Sequence, residues 1–288
     1  GLVFLPPYGS GNAVYQNRIG ALSGIQEFLE TSQEEYIFLS DCDVVVNLDI
    51  QKVVESHITR GADITIVYHH GPLPQEAKGN TVLRPDGDGR VHEILLHCKR
   101  EGAHCYDLGM YVMRRDFLLQ LIADAQSRNL KDFEADLLQD GVSRFRIFGY
   151  EHSGFTGVIH SMSAYYQLNM KLLDPVVRQE LFSDEHPIYT KVRDNMPARY
   201  GLDAIARNSL VADGCVIEGE VENCILFRGV HIGKGARVRN SIVMQSSVIG
   251  PNADLDYLIV DKNVEICADR RLMGFESYPV FISKGSRV

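Results

Sequence analysis

The chain has 288 residues, a net charge of −9, 45% hydrophobic residues and 23% charged residues. This length allows two domains with cores of their own, and the acidic balance argues against nucleic acid or an anionic membrane as the main partner. No apolar run approaches the ~20 residues that a membrane-spanning helix needs. The six cysteines are scattered without a C-x-x-C pair, so we expect reduced thiols in a cytoplasmic protein.

Residues 1–173 alternate apolar runs of strand length with amphipathic stretches. Apolar residues follow helical spacing in 19–29, 50–58, 117–122 and 161–173, and strand-like runs lie at 36–39 and 64–68. Because strands that alternate with helices favour parallel pairing, this pattern predicts an α/β domain with a mostly parallel sheet covered on both faces.

Residues 204–288, after a linker at 174–203, show a different periodicity. Segments 223–233 and 240–250 align with an offset of 17 residues. Aliphatic residues then coincide in three columns: Leu226, Val243 and Val260; Ile232, Ile249 and Ile266; Val238 and Leu255. Within each copy aliphatic residues recur every six positions, which predicts a left-handed parallel β-helix of hexapeptide repeats. Three copies in register make chance alternation in a β-sandwich a poor alternative.

This order of domains, together with several short motifs, resembles the ADP-glucose pyrophosphorylases. Segment 9–17, GSGNAVYQN, resembles their G-T-A-D-A-V-x-Q-N loop beside the nucleotide. Segment 107–112, DLGMYV, resembles their S-M-G-I-Y-V strand beside the glucose, and segment 132–138, DFEADLL, resembles D-F-G-x-D-I-I. Each motif alone is weak, but their order and spacing over essentially the whole chain are specific.

The resemblance implies two groups of ligand contacts. The nucleotide-binding residues would be Gly9, Ser10, Gly11 and Asn12. On the sugar side would lie Asp107 and Gly109, with Asp107 in place of the usual serine. A carboxylate at Asp107 would put a negative charge where the phosphate of the sugar binds.

The motif that holds the metal in active members is altered. These members carry S-G-D-H at the end of the central strand, and we align Cys42 of Ser40-Asp41-Cys42-Asp43 with its aspartate. Strand alternation would point Asp41 and Asp43 away from that face, although a shift of one residue could present Asp43. Asp132 is either a remaining metal carboxylate or a helix N-cap. Cys42, Asp43 and Asp132 are therefore degenerate positions of a catalytic set, and we assign no metal ligand.

Three further features of the family are missing. E-K-P is absent from 93–99, Gly157 replaces the aspartate of W-x-D-V-G-T, and the glycine-rich phosphate loop would precede residue 1. Because the chain begins with Gly and not Met, we expect that its first portion is missing.

An intact scaffold with an eroded site resembles the GlgD-type subunits within this family. The resemblance implies a regulatory subunit for glycogen synthesis that has weak or no activity itself. It also implies homo-oligomers, hetero-oligomers with a catalytic GlgC-type subunit, and Mg²⁺ in the assembled enzyme. An active sugar-1-phosphate nucleotidyltransferase with divergent carboxylates is the first alternative.

Basic residues of the predicted β-helix could bind a phosphorylated effector, since sugar phosphates are the regulators expected for this family. The candidates are Arg228, Lys234, Arg237 and Arg239, and solvated coil corners are the alternative for each. His231 is the one histidine of the coils, where a hexapeptide acyltransferase would use a general base. An acyltransferase or a pure scaffold is therefore a further alternative.

Overall fold

The computed structural model describes residues 17–74, 79–190 and 193–288, together with Val3 and Leu5. Two compact units divide the chain. The first comprises Gly1–Val44 and Leu48–Thr156, and the second comprises Val45–Asn47 and Gly157–Val288. Among the described residues, no helix is both long and apolar enough to cross a membrane.

The first unit is built from a sheet and the helices that pack on it. Its helices are α1 (Arg18–Gly24), α2 (Gln26–Thr31), α3 (Ile50–Arg60), α4 (Arg115–Arg128) and a π-helix (Phe133–Gln139). Its sheet contains β1 (Tyr36–Ser40), β3 (Ile64–Pro72), β4 (Asn80–Pro85), β5 (Val91–Cys98), β6 (Ala103–Arg114) and β7 (Ile147–Glu151). Strands β2 (Val44–Val46) and β8 (Thr156–Val158) form a separate two-stranded ribbon, most of whose residues belong to the second unit.

The sheet is mixed, and the prediction that it is mostly parallel is wrong for the described strands. Strand β6 lies at the centre, with β3 on one edge and with β1 and β4 on the other. All these pairs are antiparallel, as is β4 with β5, and only β3 and β7 are parallel neighbours. The β4–β5 pair is antiparallel because the D-G-D-G turn at 86–89 returns the chain at once into β5 as a hairpin.

Aliphatic and aromatic side chains of the sheet and helices form the core of this unit. The fully buried members include Ile64, Ile66, Tyr111, Leu118 and Phe133. Leu118, Leu121, Ile122 and Ala125 bury one face of α4, as their helical spacing predicts. The α/β class of the unit is therefore confirmed.

The second unit contains the predicted parallel β-helix, preceded by α5 (Met162–Lys171) and α6 (Pro175–Leu181). Three parallel sheets form its sides, in the orders β9-β12-β15-β18-β21, β10-β13-β16-β19-β22 and β11-β14-β17-β20-β23. These strands are β9 (Arg199–Tyr200), β10 (Ile205–Arg207), β11 (Leu210–Val211), β12 (Val216–Ile217), β13 (Glu220–Glu222), β14 (Ile225–Leu226), β15 (His231–Ile232), β16 (Arg237–Arg239), β17 (Ile242–Val243), β18 (Val248–Ile249), β19 (Asp254–Asp256), β20 (Leu258–Val260), β21 (Glu265–Ile266), β22 (Arg271–Met273) and β23 (Val280–Ile282).

The 17-residue repeat corresponds to one coil, so residues that are 17 positions apart lie side by side on stacked strands. Leu226 pairs with Val243 and Val243 with Val260, while Ile232 pairs with Ile249. All of these side chains are at most 1% exposed and line the inside of the coil. The columns that were predicted from the sequence are therefore the core of the β-helix.

The boundary between the units differs from the predicted one at residue 173. Tyr166 of α5 is 2% exposed, packs on Ile242 and Ile259 of the β-helix, and donates a hydrogen bond to Asn240 O at 2.7 Å. Helix α5 therefore belongs to the second unit. The predicted linker at 174–203 also contains α6 and the first strand of the β-helix, since β9 pairs with β12.

Two kinds of polar ladder run between the coils. Asn208, Asn223 and Asn240 stand at corners with positive φ, and their side chains form a hydrogen-bonded row that ends on Asp256. Charges of opposite sign alternate along one side, where Glu220, Arg237, Asp254 and Arg271 pair in register. Stacking places identical positions close together, so alternation avoids the repulsion that like charges would cause.

We expect a large difference in stability between two adjacent residues of β18. Ile249 is fully buried and Val248 is 40% exposed. Ile249→Ala should lower the free energy of unfolding by about 2 to 4 kcal/mol, because it removes buried methyl groups and leaves a cavity. Val248→Ala is the matched control and should change it by about 0.5 kcal/mol or less. Urea unfolding followed by circular dichroism measures both, and equal losses would contradict an inward-facing core at this register.

Candidate functional site

A cleft of about 520 Å³ lies in the first unit, where α1, the end of β1 and the start of the π-helix meet. We call it the Arg18 cleft. It is lined by Asn17, Arg18, Ala21, Asp41, Lys131, Asp132, Phe133 and Glu134. Two cations and three carboxylates therefore share a small space.

Arg18 is the central group of this cleft. It is the first residue of α1, which Asn17 caps by accepting a hydrogen bond from Gly20 N at 2.8 Å. The Arg18 guanidinium donates to Glu134 Oε1 at 2.9 Å and to Asp41 Oδ2. Its Cζ also lies 5.0 Å from the ring centre of Tyr111 and 5.1 Å from that of Phe133. One side chain thus joins two carboxylates and contacts two aromatic rings.

The surroundings keep Arg18 charged. Burial alone acts to lower the pKa of its guanidinium, but Tyr111, Glu134 and Asp41 outweigh burial, so the pKa is raised. Burial raises the pKa of Glu134 above its ordinary value, and the positive charge of Arg18 opposes this rise. The ion pairs are therefore a requirement for holding these groups in a partly desolvated place.

The structure places Asp41, and not Cys42, in the cleft. Strand β1 ends at Ser40, and the chain bends at Cys42 and Asp43, both of which are exposed. Asp41 N donates to Gly109 O at 3.3 Å. The Asp41 carboxylate lies so close to Gly109 that a Cβ on this glycine would come within 2.5 Å of Oδ2. Strand alternation does not continue past Ser40, and Cys42, which we aligned with the metal aspartate of the family, does not line the cleft.

Asp132 caps the N-terminus of the π-helix, which was one of the two roles considered for it. It precedes the π-helix, and its Oδ1 accepts a hydrogen bond from Ala135 N at 2.8 Å. Asp136 Oδ2 accepts from Lys131 N and Asp132 N at 2.9 and 3.0 Å, which fixes the turn. One oxygen of Asp132 is therefore used by the backbone.

Sequence reasoning missed Arg18 and Glu134. Glu134 stands where the motif D-F-G-x-D-I-I has a glycine, and Arg18 follows directly after the Gln16-Asn17 end of the nucleotide-loop motif. The two residues are 116 positions apart, so only the fold shows that they pair. The replaced glycine was the available signal.

Asp107 is turned into the protein and does not present its charge to the cleft. Its Oδ1 accepts from Gly109 N at 2.8 Å and its Oδ2 from Tyr111 Oη at 2.6 Å. Burial raises the pKa of Asp107 to about 7 and outweighs these hydrogen bonds and the Arg18 charge, which lower it. Asp107 therefore stiffens the strand that carries Gly109.

The nucleotide contacts that were expected in this unit belong to a segment that the structure does not describe. Gly9, Ser10, Gly11 and Asn12 fall outside the described residues. In 17–74, 79–190 and 193–288, no three His, Cys, Asp or Glu side chains are grouped so that they could hold a metal ion.

The basic residues of the β-helix do not form one cluster. Arg228 lines a cavity of about 590 Å³ on the β-helix that includes none of the other three candidates. Lys234 is exposed. Arg237 pairs with Glu220 at 3.5 Å, and Arg239 pairs with Asp254 at 3.2 Å and with Asp256 at 3.6 Å. Arg237 and Arg239 thus belong to the charge ladder between coils.

The pKa of Asp107 predicts a pH dependence. Because its folded pKa of about 7 lies above the ordinary value, the folded chain binds the extra proton in the range between them. Stability should then fall as the pH rises from about 4 to 7, by at most about 1.4 kcal/mol per pH unit for one proton. Asp107→Asn removes this titration, so its stability relative to the parent should rise between pH 5 and pH 7.5.

Urea unfolding at the two pH values measures this difference. The control is Asp116→Asn, whose carboxylate is 68% exposed and which should keep the pH dependence of the parent. A difference between Asp107→Asn and the parent that does not change with pH would contradict the buried, proton-binding carboxylate.

Comparisons with known proteins agree with the fold and the motifs. Residues 195–277 match the family described as GlmU-like, C-terminal hexapeptide. Over 259 residues the chain is 33% identical to the glycogen biosynthesis protein GlgD of Bacillus subtilis. The aligned segment covers 90% of the chain and 65% of that protein.

Glucose-1-phosphate adenylyltransferases are similar over comparable lengths. The enzyme of Fervidobacterium nodosum is 27% identical over 92% of the chain and 65% of its own length. That of Acetivibrio thermocellus is 27% identical over 97% of the chain and 66% of its own length. The chain thus spans about 65% of the curated relatives that it matches. In sequence, the chain is similar over most of its length to GlgD and to the glucose-1-phosphate adenylyltransferases.

Proposed function

We propose that the chain is a GlgD-like regulatory subunit of glucose-1-phosphate adenylyltransferase that acts in glycogen biosynthesis. The assembled enzyme would convert ATP and glucose 1-phosphate to ADP-glucose and pyrophosphate. The chain would contribute a scaffold and regulation, with weak or no turnover of its own.

The observation that carries this proposal is that the three carboxylates of the cleft, Asp41, Glu134 and Asp132, already have partners within the chain. Nucleotidyl transfer depends on positioning the phosphates and neutralising their charge, mainly with Mg²⁺ and cationic side chains. Mg²⁺ is bound through carboxylate oxygens. Asp41 and Glu134 already bind Arg18, and one oxygen of Asp132 caps the π-helix. The described residues therefore do not fit the metal that the reaction needs.

The comparisons also support a GlgD-like role over that of a catalytic adenylyltransferase subunit. The chain is 33% identical to a protein named for glycogen biosynthesis and 27% identical to each of the two adenylyltransferases. A subunit of this kind requires a catalytic partner, for which a GlgC-type chain is the candidate. The partner would hold Mg²⁺, and the complex would form hetero-oligomers beside homo-oligomers of the chain. A sugar phosphate would be the effector class, with Arg228 and the exposed Lys234 as the remaining candidate contacts on the described β-helix.

The acyltransferase alternative depends on His231. This side chain is half-buried, and its Nε2 lies 3.3 Å from Glu218 Oε2. Such a pair can orient an imidazole, but the α/β unit resembles nucleotidyltransferases. Turnover that depends on acetyl-CoA would favour this alternative.

The test is pyrophosphate release from ATP and glucose 1-phosphate with Mg²⁺. We expect the chain alone to turn over at least about 100-fold more slowly than a GlgC-type subunit, because catalytic residues act as a unit. Mixing the two should change the rate or the effector response of the GlgC-type subunit. Cys42→Ser is the matched control and should leave that effect unchanged, since Cys42 is exposed outside the cleft.

Two results would contradict the proposal. One is turnover by the chain alone near that of the GlgC-type subunit, which would favour an active enzyme with divergent carboxylates. The other is a mixture that behaves as the sum of its parts, with no complex detected by light scattering.

A further inference from the structure

The carboxylates of the Arg18 cleft have a protein cation as their partner. Asp41 is 47% exposed at its side chain and Glu134 is 34% exposed, whereas Arg18 is only 20% exposed. The positive group therefore lies deeper than the negative groups that it joins. A divalent cation that approached these carboxylates would be repelled by the Arg18 charge, and it could reach Asp41 Oδ2 and Glu134 Oε1 only by displacing the guanidinium.

Two aromatic rings fix where the guanidinium lies. Tyr111 is 1% exposed and Phe133 is 1% exposed, and their ring centres are 5.2 Å apart. Arg18 contacts both rings, so its guanidinium is held by cation–π attraction as well as by its ion pairs. Tyr111 is itself fixed, since its hydroxyl donates to Asp107. The site of the positive charge is thus built by the core.

The main chain also restricts the carboxylates. Asp41 follows β1 and is tied to β6 through Gly109 O, and Glu134 lies in the first turn of the π-helix. Arg18 is the first residue of α1. Three elements that are distant in sequence must therefore keep their places for the triad to exist, and conversely the triad holds them together.

We propose that Arg18 is a built-in cation that occupies the carboxylate pair of Asp41 and Glu134 and thereby excludes divalent metal ions from this cleft. Lys131 also lines the cleft but is exposed and has no ion pair among the described residues. The exclusion of metal ions is therefore a property of Arg18 and its ion pairs and not of the total charge of the cleft. The proposed function depends on the same ion pairs, but this inference concerns metal binding alone, and a metal titration tests it separately from the pyrophosphate assay.

The test is a titration with Mn²⁺, followed by the electron paramagnetic resonance signal of the free ion. We expect the parent chain to show no site that depends on Asp41. In Arg18→Leu, the leucine can still pack between the rings, and affinity for Mn²⁺ should rise about tenfold or more, because a unit positive charge next to two carboxylates is removed. Arg18→Leu combined with Asp41→Asn should lose this gain.

Two further variants make the result decisive. Lys131→Leu removes the same charge from the same cleft without breaking the triad, and its affinity for Mn²⁺ should match the parent. Arg18→Gln keeps a long polar side chain and should show the same gain as Arg18→Leu, so it serves if the leucine variant does not fold. Circular dichroism reports the fold of each variant.

Two outcomes would overturn the inference. The first is Mn²⁺ binding by the parent chain that Asp41→Asn abolishes, because Arg18 would then yield its place to the metal. The second is a folded Arg18→Leu or Arg18→Gln that binds Mn²⁺ no more tightly than Lys131→Leu.

Discussion

The pairing of Arg18 with Asp41 and Glu134 connects the parts of the first unit that surround the cleft. Each charge-assisted hydrogen bond of this kind contributes about 1.5 to 3 kcal/mol, and a cation–π contact contributes about 0.5 to 2 kcal/mol. Removing Arg18 would leave both carboxylates without this cation, and removing either carboxylate would leave the partly buried Arg18 with one ion pair. The triad therefore constrains which residues this cleft can tolerate.

The second unit uses its charged residues in another way. Its stability comes from aliphatic side chains that stack inside the coil. Because the coils are stacked, each outward-facing residue lies beside the equivalent residue of the next coil. Glu220, Arg237, Asp254 and Arg271 meet this constraint with alternating charge. Exposed pairs of this kind contribute about 1 kcal/mol or less each, so they favour the correct register more than they add stability. Basic residues in such ladders are a poor guide to effector sites.

The β-helix could be predicted from the sequence because one rule repeats. Every inward position needs an aliphatic residue, so Leu226, Val243 and Val260 recur at the same position of successive repeats. The sheet of the first unit follows no single rule. Its central strand β6 runs against its three neighbours β1, β3 and β4, and apolar runs do not show strand direction. The D-G-D-G turn was a signal for the β4–β5 hairpin that the sequence analysis did not use.

Of the degenerate positions that the sequence indicated, Asp132 lines the cleft, whereas Cys42 and Asp43 do not. The motifs at 107–112 and 132–138 do meet near the end of β1, which local similarity suffices to suggest. The exchange of Asp41 for Cys42 arises because a bend begins one residue after the strand ends. Arg18 and Glu134 pair across 116 positions, and no local pattern reports such a contact. Long-range pairing of polar residues is decided by the fold.

The most direct measurement is the anomalous diffraction of crystals of the chain soaked in Mn²⁺. Manganese scatters anomalously, so a bound ion appears at a definite place whatever its effect on activity. The account predicts no peak within coordination distance of Asp41 or Glu134, with the Arg18 guanidinium still between them. A peak bound by these two carboxylates, with Arg18 displaced from Tyr111 and Phe133, would contradict it.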